Sequence, residues 1–534
     1  MSSPQDASAP TFVPRPKFSF ASRFASILDP DNRPAARWVR FALWSLICAL
    51  CALKYFYLTA DFPNDSPWMI DQAKFTDEGW WGNAAVMHFL TGHWHVAGDY
   101  NPAVALPVWP ALLGALFRFT GVSLVAARAL NVTVSVATVG LVYLLVRRFA
   151  NANGELSALF AALILSASPF AFVFNRLAIL DTLVVFEFCL LLLVASFASI
   201  RRVWPLAAVS VLITLMMLTK TTAAMLLAAI FWMTWATLGR KLGGLWRVAA
   251  SGVVIPGLLL KGYSMLVAAM GYGADYKYFF SVNAMPAIDW RQAFATLSEL
   301  FQNGFWIDRV LYPIALLILV VTLAWKRKLW SNPLFTASWI AIAAQAAFIF
   351  SRQDDYAPRY FLVMLPPVIF IVTLTYAELV SHAKKAPALL LLVGMVAAVI
   401  ANVVMMSQFL TDRDYDLRNA ALAIRAIVRS HPEQKPLILG VSGNQISLMT
   451  GIPSINDGYG TENMAQKLAF YQPGWYLAWN DVAPETEEFL TPFSLEKMAS
   501  YAVFDDEDRT TLTLYKMVRR TRESSSMQVP HDVP

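Results

Sequence analysis

Two neighbouring carboxylates, Asp77 and Glu78, stand in the stretch FTDEGWWGNAA, with Trp80, Trp81, Trp94 and Trp109 around them. On the first turn of a helix, adjacent side chains diverge by about 100°, so the two acids address different partners and suit different roles. One can take a proton while the other caps or pairs; equally, both can serve as caps of an interfacial helix whose tryptophans anchor it at headgroup level. A third acid, Asp181, lies in VFNRLAILDTLVVF, five residues after Arg176 at the mouth of an apolar run. Ionisable groups there are costly unless they face a polar cavity, which makes Asp181 and Arg176 site candidates. Capping by Asp181 beside a snorkelling Arg176 is the alternative.

Lys220, in MMLTKTTAAM, lies in a tight turn between two apolar runs, where it either snorkels or holds an anion. Arg359 and Tyr360 precede another run in DDYAPRYFLVMLPP, with Arg352 seven residues earlier. The guanidinium fork suits phosphate through two parallel charge-assisted hydrogen bonds; pairing with Asp354 or Asp355 is the plainer use. His93 and His95 lack a third metal partner, although the acids on this side leave room for a divalent cation.

The elements that must position these residues follow from composition. Of 534 residues, 57% are hydrophobic and 15% charged, against roughly 45–50% and about 25% in a soluble domain. A soluble enzyme, a disordered chain and a collagen are excluded. Cys48, Cys51 and Cys189 all lie in apolar runs, which excludes a disulfide scaffold. The net charge of +6 includes no basic tract of the kind that binds nucleic acid.

Eleven apolar runs are long enough to approach the ~30 Å of a bilayer core: 38–58, 122–146, 156–174, 181–200, 203–219, 221–238, 248–270, 310–325, 334–350, 361–378 and 387–408. A twelfth candidate, Ala103 to Phe119, contains Pro107 and Pro110. Laying it flat puts Arg147, Arg148, Arg201, Arg202, Arg240, Lys241, Arg247, Lys326, Lys328, Lys384 and Lys385 on one side. The acid-rich loop 59–121 then falls on the other side, as the positive-inside rule requires.

The expected fold is therefore a polytopic α-helical membrane protein of about 11 transmembrane helices. Residues 1–37 read as a disordered cytoplasmic tail, and 38–408 as the membrane domain with extracytoplasmic loop 59–121. Residues 409–520 read as a small extracytoplasmic α/β domain and 521–534 as a frayed tail. Within 409–520, DLRNAALAIRAIVRS has helical amphipathicity, while PLILGV, MASYAVF and TTLTLYKM read as strands.

The order and spacing of DEGWWGNAA, VAARALNVTVSVATVGLVYLLVRRF, LDTLVVF, MMLTKTTAAM and PRYFLVMLPP resemble the GT-C superfamily of membrane glycosyltransferases. The likeness is greatest to the family 39 group of protein O-mannosyltransferases and the lipid A aminoarabinose transferase, over roughly residues 38–408. The resemblance implies a polyprenyl-phosphate sugar donor and transfer on the extracytoplasmic face of a membrane, here the bacterial inner membrane. It implies catalytic acids at Asp77, with Glu78 beside it, and Asp181, and donor-phosphate cations at Lys220 and Arg359; Arg352 and Arg176 join them from the pattern above. One departure stands out. Where the aminoarabinose transferase has Glu-Lys-Pro, this chain reads Tyr100-Asn101-Pro102 and lacks that phosphate-binding lysine.

Displacing a polyprenyl phosphate needs a base for the acceptor's proton and cations around the departing phosphate. Direct attack with Asp77 as base implies inversion. The acceptor is a lipid, glycan or protein hydroxyl, read by the first loop, residues 271–309 and the C-terminal domain. The competing class is a transporter or flippase of a lipid-linked sugar, which would show inverted repeats and midplane charges.

Overall fold

In the computed structural model the described residues are 37–61, 74–150, 154–199, 201–283, 291, 310–325, 328–351, 358–504 and 509–520. Arg352, Lys326 and the expected tails, except Arg37, lie outside them.

The apolar runs centre on helices. α1 (Arg37–Leu53) leads to α2 (Asp77–Thr91) and α3 (Val108–Thr120), then to α4 (Leu124–Phe149) and α5 (Gly154–Ala167). α6 (Pro169–Phe174), α7 (Leu180–Ala195), α8 (Trp204–Thr219) and α9 (Leu227–Thr237) follow. Next come α10 (Leu242–Ala249), α11 (Ile255–Ala269), α12 (Gly273–Val282), α13 (Leu311–Trp325) and α14 (Pro333–Ser351), then α15 (Leu365–Ser381) and α16 (Lys385–Thr411).

Among the described residues, four helical stretches are long and apolar enough to cross a membrane: Leu124–Phe149, Leu242–Ala269, Pro358–Ser381 and Lys385–Thr411. Six more apolar helices are shorter, α3 among them. With 13 residues, α3 reaches about 20 Å and falls short of a ~30 Å core. It buries Trp109, Leu113 and Phe117, spaced four apart, and leaves Leu112 and Phe119 exposed.

Several runs that read as single helices are interrupted, each for a local reason. Ser168 caps α6 by accepting from Ala171 N at 3.2 Å, and Pro169 occupies the first helical position, so 156–174 becomes two helices. A π turn at Ala250–Val254 joins α10 to α11 ahead of Pro256. Tight 3₁₀ turns at Thr221–Leu226 and Pro358–Met364 precede α9 and α15.

α5 is buried around its whole circumference, as is α15 from Leu365 to Glu378, the expectation for apolar helices at the centre of a bundle. By contrast, α11, α13 and α16 turn Leu258, Leu317 and Leu390 outward, each more than 60% exposed, a surface that suits lipid rather than water.

The chain ends in a mixed unit: α17 (Asp416–Ser430), β1 (Ile438–Leu439), α18 (Gly443–Thr450), β2 (Ser454–Ile455), α19 (Met464–Tyr471), β3 (Trp475–Trp479), α20 (Pro484–Leu490), β4 (Phe493–Ala502) and β5 (Thr511–Arg519). The sheet order is β2-β1-β3-β5-β4. β1 pairs parallel with β2 and β3, while β5 lies antiparallel between β3 and β4. One sheet face packs on Leu417, Ala421, Ile424 and Val428 of α17 and takes in Phe75, just ahead of α2. Phe75 sits 5.6 Å from Phe504 and 6.0 Å from Trp479, ring to ring. That contact brings the sheet over the end of the bundle where α2 begins.

Candidate active site

Four charged side chains from four separate parts of the chain meet where the sheet covers the bundle. Asp77 opens α2, and its Oδ2 lies 2.6 Å from Arg359 Nη2. Arg359 Nε is 4.0 Å from Oδ2 of Asp181, and Oδ1 of Asp181 accepts from Lys220 Nζ at 2.6 Å. Two acids and two cations thus alternate in one chain of contacts.

The backbone explains the meeting. Asp181 stands in the first turn of α7, which Ile179 enters in extended conformation. α8 ends at Lys220, whose φ of −158° and ψ of 125° break the helix before the 3₁₀ turn. Arg359 rides the other 3₁₀ turn. The Tyr360 ring lies 4.7 Å below the Lys220 ammonium and 5.4 Å from the Arg359 guanidinium. Asp181, Lys220, Tyr360 and Gln345 line a narrow pocket, and Gln345 donates to the Tyr360 carbonyl at 2.9 Å. Asp77, Asp181 and Arg359 are all less than a tenth exposed, so their charges interact with little screening.

Glu78, expected at the reaction centre beside Asp77, has other partners. It is fully buried, and Arg128 grips both its oxygens, Nε to Oε1 at 2.8 Å and Nη2 to Oε2 at 2.6 Å. Ala178 N also donates to Oε1 and Gln445 Nε2 to Oε2. Arg128 further binds Asp61 and the carbonyls of Leu58 and Ala60. With every lone-pair direction in use, Glu78 ties together the segments that carry Asp77 and Asp181. Asn131 fixes the second segment from below by donating to Ile179 O and Thr182 Oγ1.

Arg176 does not join the cluster. Its guanidinium is taken up by the carbonyls of Lys54, Phe56 and Tyr57 and stacks on Phe172 and Phe409. Its role in the structure is to close the end of α1.

At the departure noted above, Asn101 turns inward. It donates to Val96 O, Asp99 O and Asp275 Oδ1 and accepts from Val96 N. His95 Nε2 meets the other Asp275 oxygen at 3.2 Å, and its ring stacks on Tyr272. These bonds pin residues 92–104 to α12. Among the described residues no three carboxylate, imidazole or thiol groups gather at one place, and the Arg359 guanidinium lies between Asp77 and Asp181.

Beside Asp77, the rings of Trp80, Tyr100 and Tyr459 pack at 5.1 to 6.0 Å from one another. Burial, reinforced by the Asp77 charge, pushes the Tyr100 phenol well above its usual range, so it remains a hydroxyl at neutral pH. The C-terminal unit is also locked to the 92–104 loop by a fully buried pair. Lys467 Nζ binds Asp99 Oδ1 at 2.9 Å and the carbonyls of Asn456 and Tyr459. Gly460 permits this approach, because a Cβ there would lie 2.4 Å from Gly98 O.

Sequence reasoning did not single out Arg128, Gln445 or Lys467. Arg128 carried a signal, a charge within an apolar run; Gln445 and Lys467 lie in ordinary polar sequence and carried none.

Comparison with known proteins matches the description "dolichyl-phosphate-mannose-protein mannosyltransferase" to residues 102–259, which include Asp181 and Lys220. No curated protein matches the chain by sequence. Among solved structures, ArnT from Cupriavidus metallidurans in the apo state superposes with TM-score 0.57 and 15% identity, covering 89% of this chain and 98% of that one. The same protein bound to undecaprenyl phosphate gives 0.56 and 15%, over 90% and 98%. The oligosaccharyltransferase of Archaeoglobus fulgidus in the apo form gives 0.51 and 10%, over 90% and 76%. The expected resemblance is borne out as a likeness of fold: this chain shares the fold of ArnT and of the archaeal oligosaccharyltransferase, and residues 102–259 match the mannosyltransferase family description.

Proposed function

We infer that the protein is a glycosyltransferase that moves a sugar from a polyprenyl-phosphate donor to a lipid, glycan or protein hydroxyl, inverting the anomeric carbon with Asp77 as base. The observation that carries this reading is the alternating cluster Asp77–Arg359–Asp181–Lys220. It sets a carboxylate next to two cations at the end of an apolar bundle, the inventory that the displacement requires. The likeness in fold to a protein whose structure holds undecaprenyl phosphate supports a lipid-phosphate donor.

Each acid of the cluster is paired with a cation. An incoming phosphate competes for Lys220 and Arg359 and leaves Asp77 free to accept. The acceptor oxygen then bonds to the anomeric carbon while its proton passes to Asp77. The bond from that carbon to the phosphate oxygen breaks, and the added charge on the leaving polyprenyl phosphate falls on Lys220 and Arg359. Asp181 holds Lys220 in place. Glu78 is a positioning residue, and a further contribution from Arg352 would reinforce the phosphate site.

The same reading has eleven spans in residues 38–408, a cytoplasmic N-terminus, and an extracytoplasmic unit at 409–520, in a bacterial inner membrane. The test is to incubate the purified protein with radiolabelled polyprenyl-phosphate sugars and membrane lipids. Consumption of a donor with label in a new product, abolished in Asp77→Asn, is expected. Flipping of a donor across vesicles without consumption would overturn transfer in favour of transport.

A further inference from the structure

We propose that Gln445, in the C-terminal unit, is a positioning residue for Asp77, which makes that unit a working part of the catalytic centre; this rests on Asp77 acting as the base. The first N–H groups of a helix have no partner within it, and Thr76, at the N-cap of α2, makes no capping bond with its side chain. Gln445 supplies the cap from 366 residues away: its Oε1 accepts from Gly79 N at 2.7 Å. The other end of the same amide donates from Nε2 to Glu78 Oε2 at 3.0 Å. Turning the amide over would set N–H against N–H and oxygen against oxygen, so the pair of bonds admits one orientation.

Packing enforces the same relation. A Cβ on Gly79 would lie 2.2 Å from Gln445 N and 2.4 Å from Asn444 C, so the start of α18 rests directly on the first turn of α2. Trp80 Nε1 adds a bond to Val441 O at 3.0 Å. Asp77 belongs to that turn, and the direction of its carboxylate toward Arg359 follows the turn's placement. Through Glu78 and Ala178 N, the same contacts reach the segment leading to Asp181. Gln445 is fully buried and its side-chain amide bonds to Gly79 and Glu78, both in the first turn of α2, so its action is through α2.

The decisive variant is Gln445→Met, which keeps the volume and removes both bonds. Expected is a fall in kcat of at least about tenfold, toward the about 10²-fold that a 1 Å misplacement of a catalytic group can cost, with the donor KM within about twofold of the parent. A kcat per folded molecule within about twofold would overturn the proposal. Should that variant not fold, Gln445→Glu decides by its pH profile: a carboxyl regains a donor toward Glu78 only when protonated. Its kcat relative to the parent should therefore recover as pH falls, and parallel profiles would overturn the proposal. If the parent transfers no sugar, the functional reading fails. Hydrogen exchange in Gln445→Met then still tests the coupling: faster exchange in both 77–83 and 177–182 supports it, and unchanged exchange overturns it.

Discussion

Asp77 and Glu78 are neighbours with opposite circumstances, and their surroundings separate their roles. Glu78 spends its carboxylate on Arg128, Ala178 and Gln445. Asp77 faces Arg359, the partner that the donor phosphate draws away in the proposed reaction. We expect Asp77→Asn to lower kcat by about 10²–10⁴-fold, the usual range for a general base. Affinity for a polyprenyl phosphate should not weaken, because the amide no longer competes for Arg359; calorimetry and steady-state rates on the same preparation check both. Lys220→Ala and Arg359→Ala should each weaken donor binding by about 1.5–3 kcal/mol, the range for a hydrogen bond to a charged group. An unchanged donor affinity in both would remove them from the phosphate site.

At the scale of elements, the irregular pieces do the positioning. The 3₁₀ turns at Thr221–Leu226 and Pro358–Met364 and the extended backbone at Lys220 turn the two cations toward the acids. The loop 92–104 is held to α12 through Asp275. Burial works against the charge on Asp275, but hydrogen bonds from His95 and Asn101 outweigh it and hold the carboxyl below its usual range. A depressed folded value means that this group's stabilisation is complete above the unfolded pKa of about 3.9 and is lost as pH falls through the folded value. Pepsin should therefore cut within 92–104 faster as pH drops below about 4. Asp275→Asn should remove that dependence; an identical acid step in the variant would place the weakness elsewhere.

For the whole molecule, the bundle and the sheet unit behave as one body at the site. Asp99 and Lys467 come from opposite ends of the chain and are both inaccessible to solvent. Removing one partner of such a pair strands a charge in the interior, so Lys467→Met should cost about 3–5 kcal/mol, read as a lowered Tm in detergent. The double variant Asp99→Asn with Lys467→Met should recover part of that loss. A Tm unchanged in Lys467→Met would show that the pair contributes nothing. Sidedness can be read on intact cells in a Cys48→Ala background. Phe470→Cys, on the exposed face of α19, should react with an impermeant maleimide, and Lys241→Cys should react only after permeabilisation. The reverse pattern would invert the orientation.

Some of this was legible in the linear chain. Long apolar runs mark helices because each backbone polar group in such a stretch must be satisfied internally. Charges at the ends of those runs stand out because they are costly there. Asp181, Lys220 and Arg359 could be selected on that ground, Asp77 by its pairing with Glu78 among tryptophans, and the amphipathic helix at Asp416–Ser430 by its period. Tertiary packing alone decided that these four meet in one cluster and that Arg176 closes α1 instead. It also decided that Glu78 is saturated, and by a residue as distant as Gln445. Pattern reports the local cost of placing a side chain, whereas a partner hundreds of residues away is chosen by which surfaces the folded chain brings within hydrogen-bond reach.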